Sequence, residues 1–159
     1  TRPTTDKGKG AIFNMIRPFF EGGRVLDLFS GSGSLAIEAI SRGMDEAVLV
    51  ERNRQAQAII TENIKMTKAE MQFHFMKMDA NKAIGVVKGP FDLVFLDPTY
   101  EKEDIVKNIT DLEEAGLLSE DVMIVCETDK SVDLPEKISN FGIWKQKTYG
   151  ISKVTVYIR

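Results

Sequence analysis

Short, mostly apolar runs alternate with helix-forming segments along almost the whole chain, and this alternation restricts the fold more than any other feature. Val25 to Phe29, Ala47 to Val50, Phe91 to Leu96 and Val122 to Cys126 have strand length, and Met71, Phe73 and Phe75 alternate as one more strand. Between them the spacing predicts helices over Ser34 to Arg42, closed by Gly43, over Ala80 to Val87 and near Asp104 to Glu114. Asn53 is placed to cap another, with Ala56, Ile59, Ile60 and Ile64 inward. An N-terminal helix over about residues 5–20 has Asp6 at its start and Ile12, Met15, Ile16, Phe19 and Phe20 at a 3.6-residue period. The tail changes rhythm, because Phe141 to Tyr149 and Lys153 to Ile158 read as a hairpin turning near Gly150. Repeated strand–helix units imply a parallel sheet with helices on both faces, here with a terminal antiparallel hairpin. Such sheets take ligands beyond the carboxyl ends of their strands, so the loops there hold the candidate residues.

The composition fits this architecture. In 159 residues, 43% are hydrophobic and 28% charged, ordinary for one water-soluble domain. The wholly apolar stretches fall far short of the roughly 20 residues a bilayer requires, so no membrane partner is expected. Cys126, the one cysteine, sits in an apolar run and reads as a buried thiol in a reducing compartment, with a cytoplasmic location expected. No charged-then-apolar leader opens the residues. The net charge of −3 is unevenly spread: residues 1–24 carry five basic and two acidic side chains, and residues 137–159 carry five basic and none acidic. Basic ends around an acidic middle suit a polyanion if they converge, and otherwise are two solvated surfaces.

After the first strand comes Asp27-Leu28-Phe29-Ser30-Gly31-Ser32-Gly33-Ser34. Gly31 and Gly33 allow a tight turn and a close backbone approach, and the next helix offers free N–H groups to an anion. The plain alternative is a strand-to-helix turn without a ligand. Gly31 to Ala36 also satisfies G-x-G-x-x-A, with Glu51 twenty residues on, as in dinucleotide sites. Asp27 argues against a pyrophosphate, since a carboxylate repels phosphate but accepts hydrogen bonds from an ammonium group. An α-amino acid end fits better, its amine toward Asp27 and its carboxylate toward the helix. Glu51, ending the second strand, can hold both hydroxyls of a ribose, or be a solvated charge. Asp79, after the third, can reach an adenine amino group, or simply cap the following helix. Amino acid, ribose and adenine in that order describe S-adenosylmethionine.

The fourth strand ends in Asp97-Pro98-Thr99-Tyr100. Pro98 fixes the chain so that the Asp97 side chain and the Pro98 carbonyl offer two acceptors beside an aromatic ring. That set suits a planar exocyclic amine, held by its N–H groups and stacked on Tyr100. With these elements in order the chain resembles the class I S-adenosylmethionine-dependent methyltransferases, in particular the family that methylates guanine N2 of small-subunit ribosomal RNA. The resemblance rests on Arg2-Pro3-Thr4-Thr5-Asp6, Val25 to Gly33, Glu38-Ala39, Ser41-Arg42-Gly43, Val50-Glu51 and Asp97 to Tyr100. It implies that residues 1–159 form a single methyltransferase domain, α/β and Rossmann-like. Its sheet would be seven-stranded, with the last strands antiparallel. It further implies that Asp27, Phe29, Gly31, Gly33, Glu51 and Asp79 line the cofactor site. Asp97, Pro98 and Tyr100 would hold the guanine, and the partner would be ribosomal RNA or the assembling small subunit. The family pattern has a second proline where this chain has Thr99.

Other readings of the same residues are an amino-methyltransferase for DNA adenine or a protein amide, a nicotinamide-dependent oxidoreductase, and a non-catalytic nucleotide-binding module. No Cys/His cluster has zinc spacing, and methyl transfer requires no metal. His74, alone on a strand face, reads as structural or surface, and the scattered Met residues as core filler.

Overall fold

A computed structural model describes residues 6–97 and 102–159, with side chains described except at positions 6, 7, 102 and 103. The helices are α1 (Asp6–Ile16), α2 (Ser34–Ser41), α3 (Arg54–Thr67), α4 (Ala80–Ile84) and α5 (Lys102–Glu114). The strands are β1 (Arg24–Asp27), β2 (Glu46–Val50), β3 (Phe73–Met76), β4 (Phe91–Leu96), β5 (Leu118–Asp129), β6 (Lys137–Ile138), β7 (Phe141–Tyr149) and β8 (Ser152–Ile158). They form one sheet in the order β3-β2-β1-β4-β5-β8-β7-β6. β1 to β5 are mutually parallel, and β8, β7 and β6 add antiparallel to β5.

Strand alternation divides the apolar side chains between two layers. Val25, Leu49, Leu93, Phe95, Val154 and Val156 pack against Ile12 and Phe13 of α1, Leu35 and Ala39 of α2, and Ile60 of α3. Leu26, Val94, Leu96, Ile124 and Tyr157 pack on the other face against Ile84 of α4 and Ile105, Ile109 and Leu112 of α5. Each layer removes several large side chains from water, at roughly 1.5–3 kcal/mol apiece.

The sheet has eight strands among the described residues, not seven. The extra strand β6 is two residues long, pairing Lys137 with Gly142 and Ile138 with Phe141 across a turn in which Ser139 has φ 54°. Two residues are too short to show a hydropathy period. The first helix stops at Ile16 rather than reaching residue 20, because Pro18 lacks an N–H and disfavours helical geometry at Arg17. Phe19 is consequently 71% exposed, while Phe20 turns back to meet Phe13 edge-on at 6.4 Å. Met71 falls in a 3-10 turn before β3 and is 94% exposed, and Ile59 lies on the outer side of α3. Both carry the hydropathy of a core residue, but the turn and the helix rotation direct them to water. Asn53 does cap α3, its Oδ1 accepting from the Ala56 N–H at 3.0 Å. β5 is longer than the apolar run Val122 to Cys126, because β4 and β8 flank it and extend its pairing to Asp129. No helix among the described residues is long and apolar enough to cross a membrane.

Candidate active site

The order β2-β1-β4 places the carboxyl ends of three strands side by side, and Glu51, Asp27 and Asp97 stand at those ends. Asp27 registers beside Leu49 and Phe95, both in the α1–α3 layer, and Asp97 lies two residues beyond Phe95 on the same strand line. Asp27 is 2% exposed. Burial, then the charge of Asp97, then that of Glu51, push its carboxyl up to about 8, only partly offset by the Phe29 N–H that it accepts. A site that disfavours an isolated anion this strongly is suited to a cation.

Gly31 and Gly33 adopt φ 58° and 81°, a region that side-chain-bearing residues avoid. The turn is tied down on several sides. Ser30 donates its hydroxyl to the Asp27 carbonyl at 2.9 Å and accepts from the Val50 N–H at 3.2 Å. The Asn63 amide of α3 donates to the Ser32 carbonyl at 2.9 Å. Glu51 accepts from the Gly31 N–H through Oε1 at 2.9 Å and from the Asn53 N–H through Oε2 at 3.0 Å. A carboxylate has about four acceptor positions, so Glu51 can brace the turn and still receive two hydroxyls. Gly33, which precedes α2, offers no side-chain cap, leaving first-turn N–H groups for an anionic end.

Phe29, Glu51 and Asp79 line a cavity of about 330 Å³ together with Asn81, Asp104 and Asn108. The Asp79 Oδ1 accepts from the Lys82 N–H at 2.9 Å and caps α4, so it serves as a helix cap at the cavity wall. Asn81, Asp104, Asn108 and the bracing pair Ser30 and Asn63 escaped sequence reasoning. Only the polar residues in the first two turns of α4 and α5 hinted at the first three. Pro98 and Tyr100, together with Thr99 and the Arg2 to Thr5 segment, lie outside the described residues. His74 is a surface residue, its Nε2 2.9 Å from a Glu46 carboxylate oxygen. Cys126 is buried and its thiol is pushed far above the ordinary value by that burial, which leaves it inert as a nucleophile.

The residues present fit S-adenosylmethionine. A buried carboxyl suits an ammonium, uncapped N–H groups suit a carboxylate, Glu51 suits a pair of hydroxyls, and a cavity of this size has room for a planar base.

The family described as Conserved hypothetical protein 95 matches residues 1–158. YlbH of Bacillus subtilis (strain 168), named provisionally as an rRNA methyltransferase, is 40% identical over 99% of this chain and 87% of its own length. Ribosomal RNA small subunit methyltransferase D of Escherichia coli (strain K12) is 29% identical over 99% of this chain and 79% of its own. A solved structure from Streptococcus pyogenes, described as a conserved hypothetical protein, superposes with a TM-score of 0.92 at 66% identity, over 95% of this chain and 94% of that one. Fold, motif order and sequence coverage agree, and the chain belongs to the Conserved hypothetical protein 95 family, with the fold of the S-adenosylmethionine-dependent methyltransferases.

Proposed function

We propose that this protein transfers a methyl group from S-adenosylmethionine to the exocyclic N2 amine of a guanine in small-subunit ribosomal RNA. The observation that carries this reading is the juxtaposition of Asp27 and Asp97 at the ends of adjacent strands, close enough that one raises the pKa of the other. One carboxylate serves the cofactor and the other the acceptor amine. The relatives named as ribosomal RNA methyltransferases over nearly the full chain support the RNA substrate.

When bound, the cofactor supplies an electrophilic methyl group on a sulfonium. Asp27 binds the ammonium end, Glu51 the ribose, and Phe29 and Asp79 border the adenine. Asp97 accepts a hydrogen bond from the guanine amine and orients its lone pair for in-line attack, in which the nitrogen–carbon bond would form as the carbon–sulfur bond breaks, S-adenosylhomocysteine leaving and the surplus amine proton passing to water. Pro98 and Tyr100, next in sequence, take the second acceptor and stacking roles that the resemblance implies. The chain's contribution is position and electrostatics, which together supply most of such a rate enhancement.

The test is single-turnover transfer of labelled methyl to small-subunit rRNA, followed by mass spectrometry of the nucleosides, beside calorimetric binding of S-adenosylhomocysteine and NAD. The expected product is N2-methylguanosine, with NAD bound at least tenfold more weakly. Asp97→Ala should slow transfer on the order of 10²–10³-fold, as for one well-placed polar group at a reacting centre. Its cofactor affinity should change by less than about threefold, roughly 0.7 kcal/mol. Methylated adenine, or an Asp97→Ala protein at the parent rate, would refute this reading.

A further inference from the structure

We propose that the outer strand β7 is a track for single-stranded RNA flanking the target base, with Lys145 and Lys147 on phosphates and Trp144 as a stacking platform. The proposal rests on the RNA-methylation reading. Residues 137–159 hold five basic and no acidic side chains in a chain of net charge −3, and β6, β7 and β8 gather four of them at one edge of the sheet, while Arg159, just past β8, pairs with Glu113. An acid-free segment on an acidic protein is complementary to a polyanion.

Register decides where that charge faces. Lys145, Lys147 and Tyr149 pair with Val156, Val154 and Ser152 of β8, and the two valines pack in the α1–α3 layer. The three β7 side chains therefore lie on the same side of the sheet as Asp27 and Asp97. Ser152 in turn pairs with Asp129, beyond the level at which Leu96 pairs with Cys126, so the Tyr149 end of the stripe reaches the carboxyl-end crevice. From there Lys147 and Lys145 lead away along α1, where the Lys145 ammonium donates to the Met15 carbonyl at 2.8 Å.

An aromatic ring lies against each of the two lysines, Trp144 standing at the register shift between Ile143 and Lys145. The Lys145 ammonium sits 4.4 Å from the centre of the Trp144 ring, and that of Lys147 5.3 Å from the Tyr149 ring. Trp144 is 42% exposed, and no carboxylate pairs with either lysine among the described residues. Cationic side chains set beside aromatic faces are how single strands are held without sequence readout. The outer edge is also open: β6 pairs only with Phe141 and Gly142, and no strand lies beside Trp144 to Tyr149 among the described residues. Lysines on an open edge also deter strand-to-strand aggregation, and that role alone predicts no effect on RNA.

The experiment compares the parent, Lys145→Gln/Lys147→Gln, Trp144→Ala and Lys145→Arg/Lys147→Arg with Lys65→Gln/Lys68→Gln. The last removes the same charge from the C-terminal end of α3, at the far end of the sheet. The probe is a 20-nucleotide single-stranded RNA titrated at several salt concentrations, with S-adenosylhomocysteine affinity as the check on folding. Single strands lose about 0.7 in log–log salt slope per phosphate contact, so the Gln pair on β7 should lower the slope by about 1.4. The Arg pair and the α3 pair should keep the parent slope. Trp144→Ala should weaken binding at least about fivefold, the low end of one base–aromatic stack. An unchanged slope in the β7 Gln pair, an equal drop in the α3 pair, or a parent that binds no RNA would overturn the proposal. A parent that binds RNA with the predicted slope loss but transfers no methyl would leave the track standing and refute the catalytic reading instead.

Discussion

Replacing Asp27 by Asn separates the cost that this carboxyl imposes on folding from what it does for the cofactor. The group ordinarily titrates near 3.8 and is held near 8 in the folded chain. Between those values the folded protein keeps a proton that the unfolded chain has lost, so stability falls as pH rises from about 4 to about 8. Below that window both states are protonated, above it both are ionised, and the contribution is flat. Each unit is worth about 1.4 kcal/mol, so by pH 7 the loss amounts to about 4 kcal/mol. Asn cannot ionise, yet keeps an acceptor for the Phe29 N–H. Urea unfolding of Asp27→Asn without ligand should show a gain of up to about 4 kcal/mol at pH 7 and a flatter profile between pH 5 and 8. The same variant should bind S-adenosylhomocysteine more weakly, since the anion opposite the ammonium is gone. In the parent, a cation at Asp27 displaces the proton, so affinity should rise by up to about tenfold per unit from pH 5 to 7. Equal stability and equal pH slopes in parent and variant would refute a buried, proton-holding carboxyl. A stability gain with cofactor affinity unchanged would refute the ammonium contact.

Glu51→Gln removes the charge from both backbone bonds and sets an NH2 donor against one of the two N–H groups, of Gly31 or Asn53, and should weaken S-adenosylhomocysteine by about tenfold or more, measured by calorimetry. Gly43→Ala would set a Cβ 2.0 Å from the Phe20 carbonyl oxygen at φ 114°, and should cost about 3 kcal/mol or more in urea unfolding. Thr128→Val deletes a buried hydroxyl with no hydrogen-bond partner among the described residues and should raise stability by about 1 kcal/mol, seen as a higher urea midpoint at unchanged slope.

The strand–helix alternation, the tail hairpin and the loops that carry Asp27, Gly31, Glu51 and Asp97 were legible because they depend on local information. Side-chain period, glycine placement and position relative to a strand end can all be read within ten residues. Met71 and Ile59 were misjudged for the same reason: hydropathy records a preference for burial, and only the packed turn and helix decide which side meets water. Burial of the Asp27 carboxyl is another matter. It follows from three strands converging with Asp97 and Glu51 nearby, a field no linear pattern encodes. Glu51 illustrates the division most closely. Its place after β2 was readable, whereas its hold on the Gly31 N–H twenty residues away exists only because β1 and β2 are neighbours. Likewise the sequence alone determined that the tail carries five positive charges and no negative one. That Lys145 and Lys147 face the same side as Asp27 and Asp97 was decided by the register of β7 on β8, because a one-residue slip would turn both to the other face.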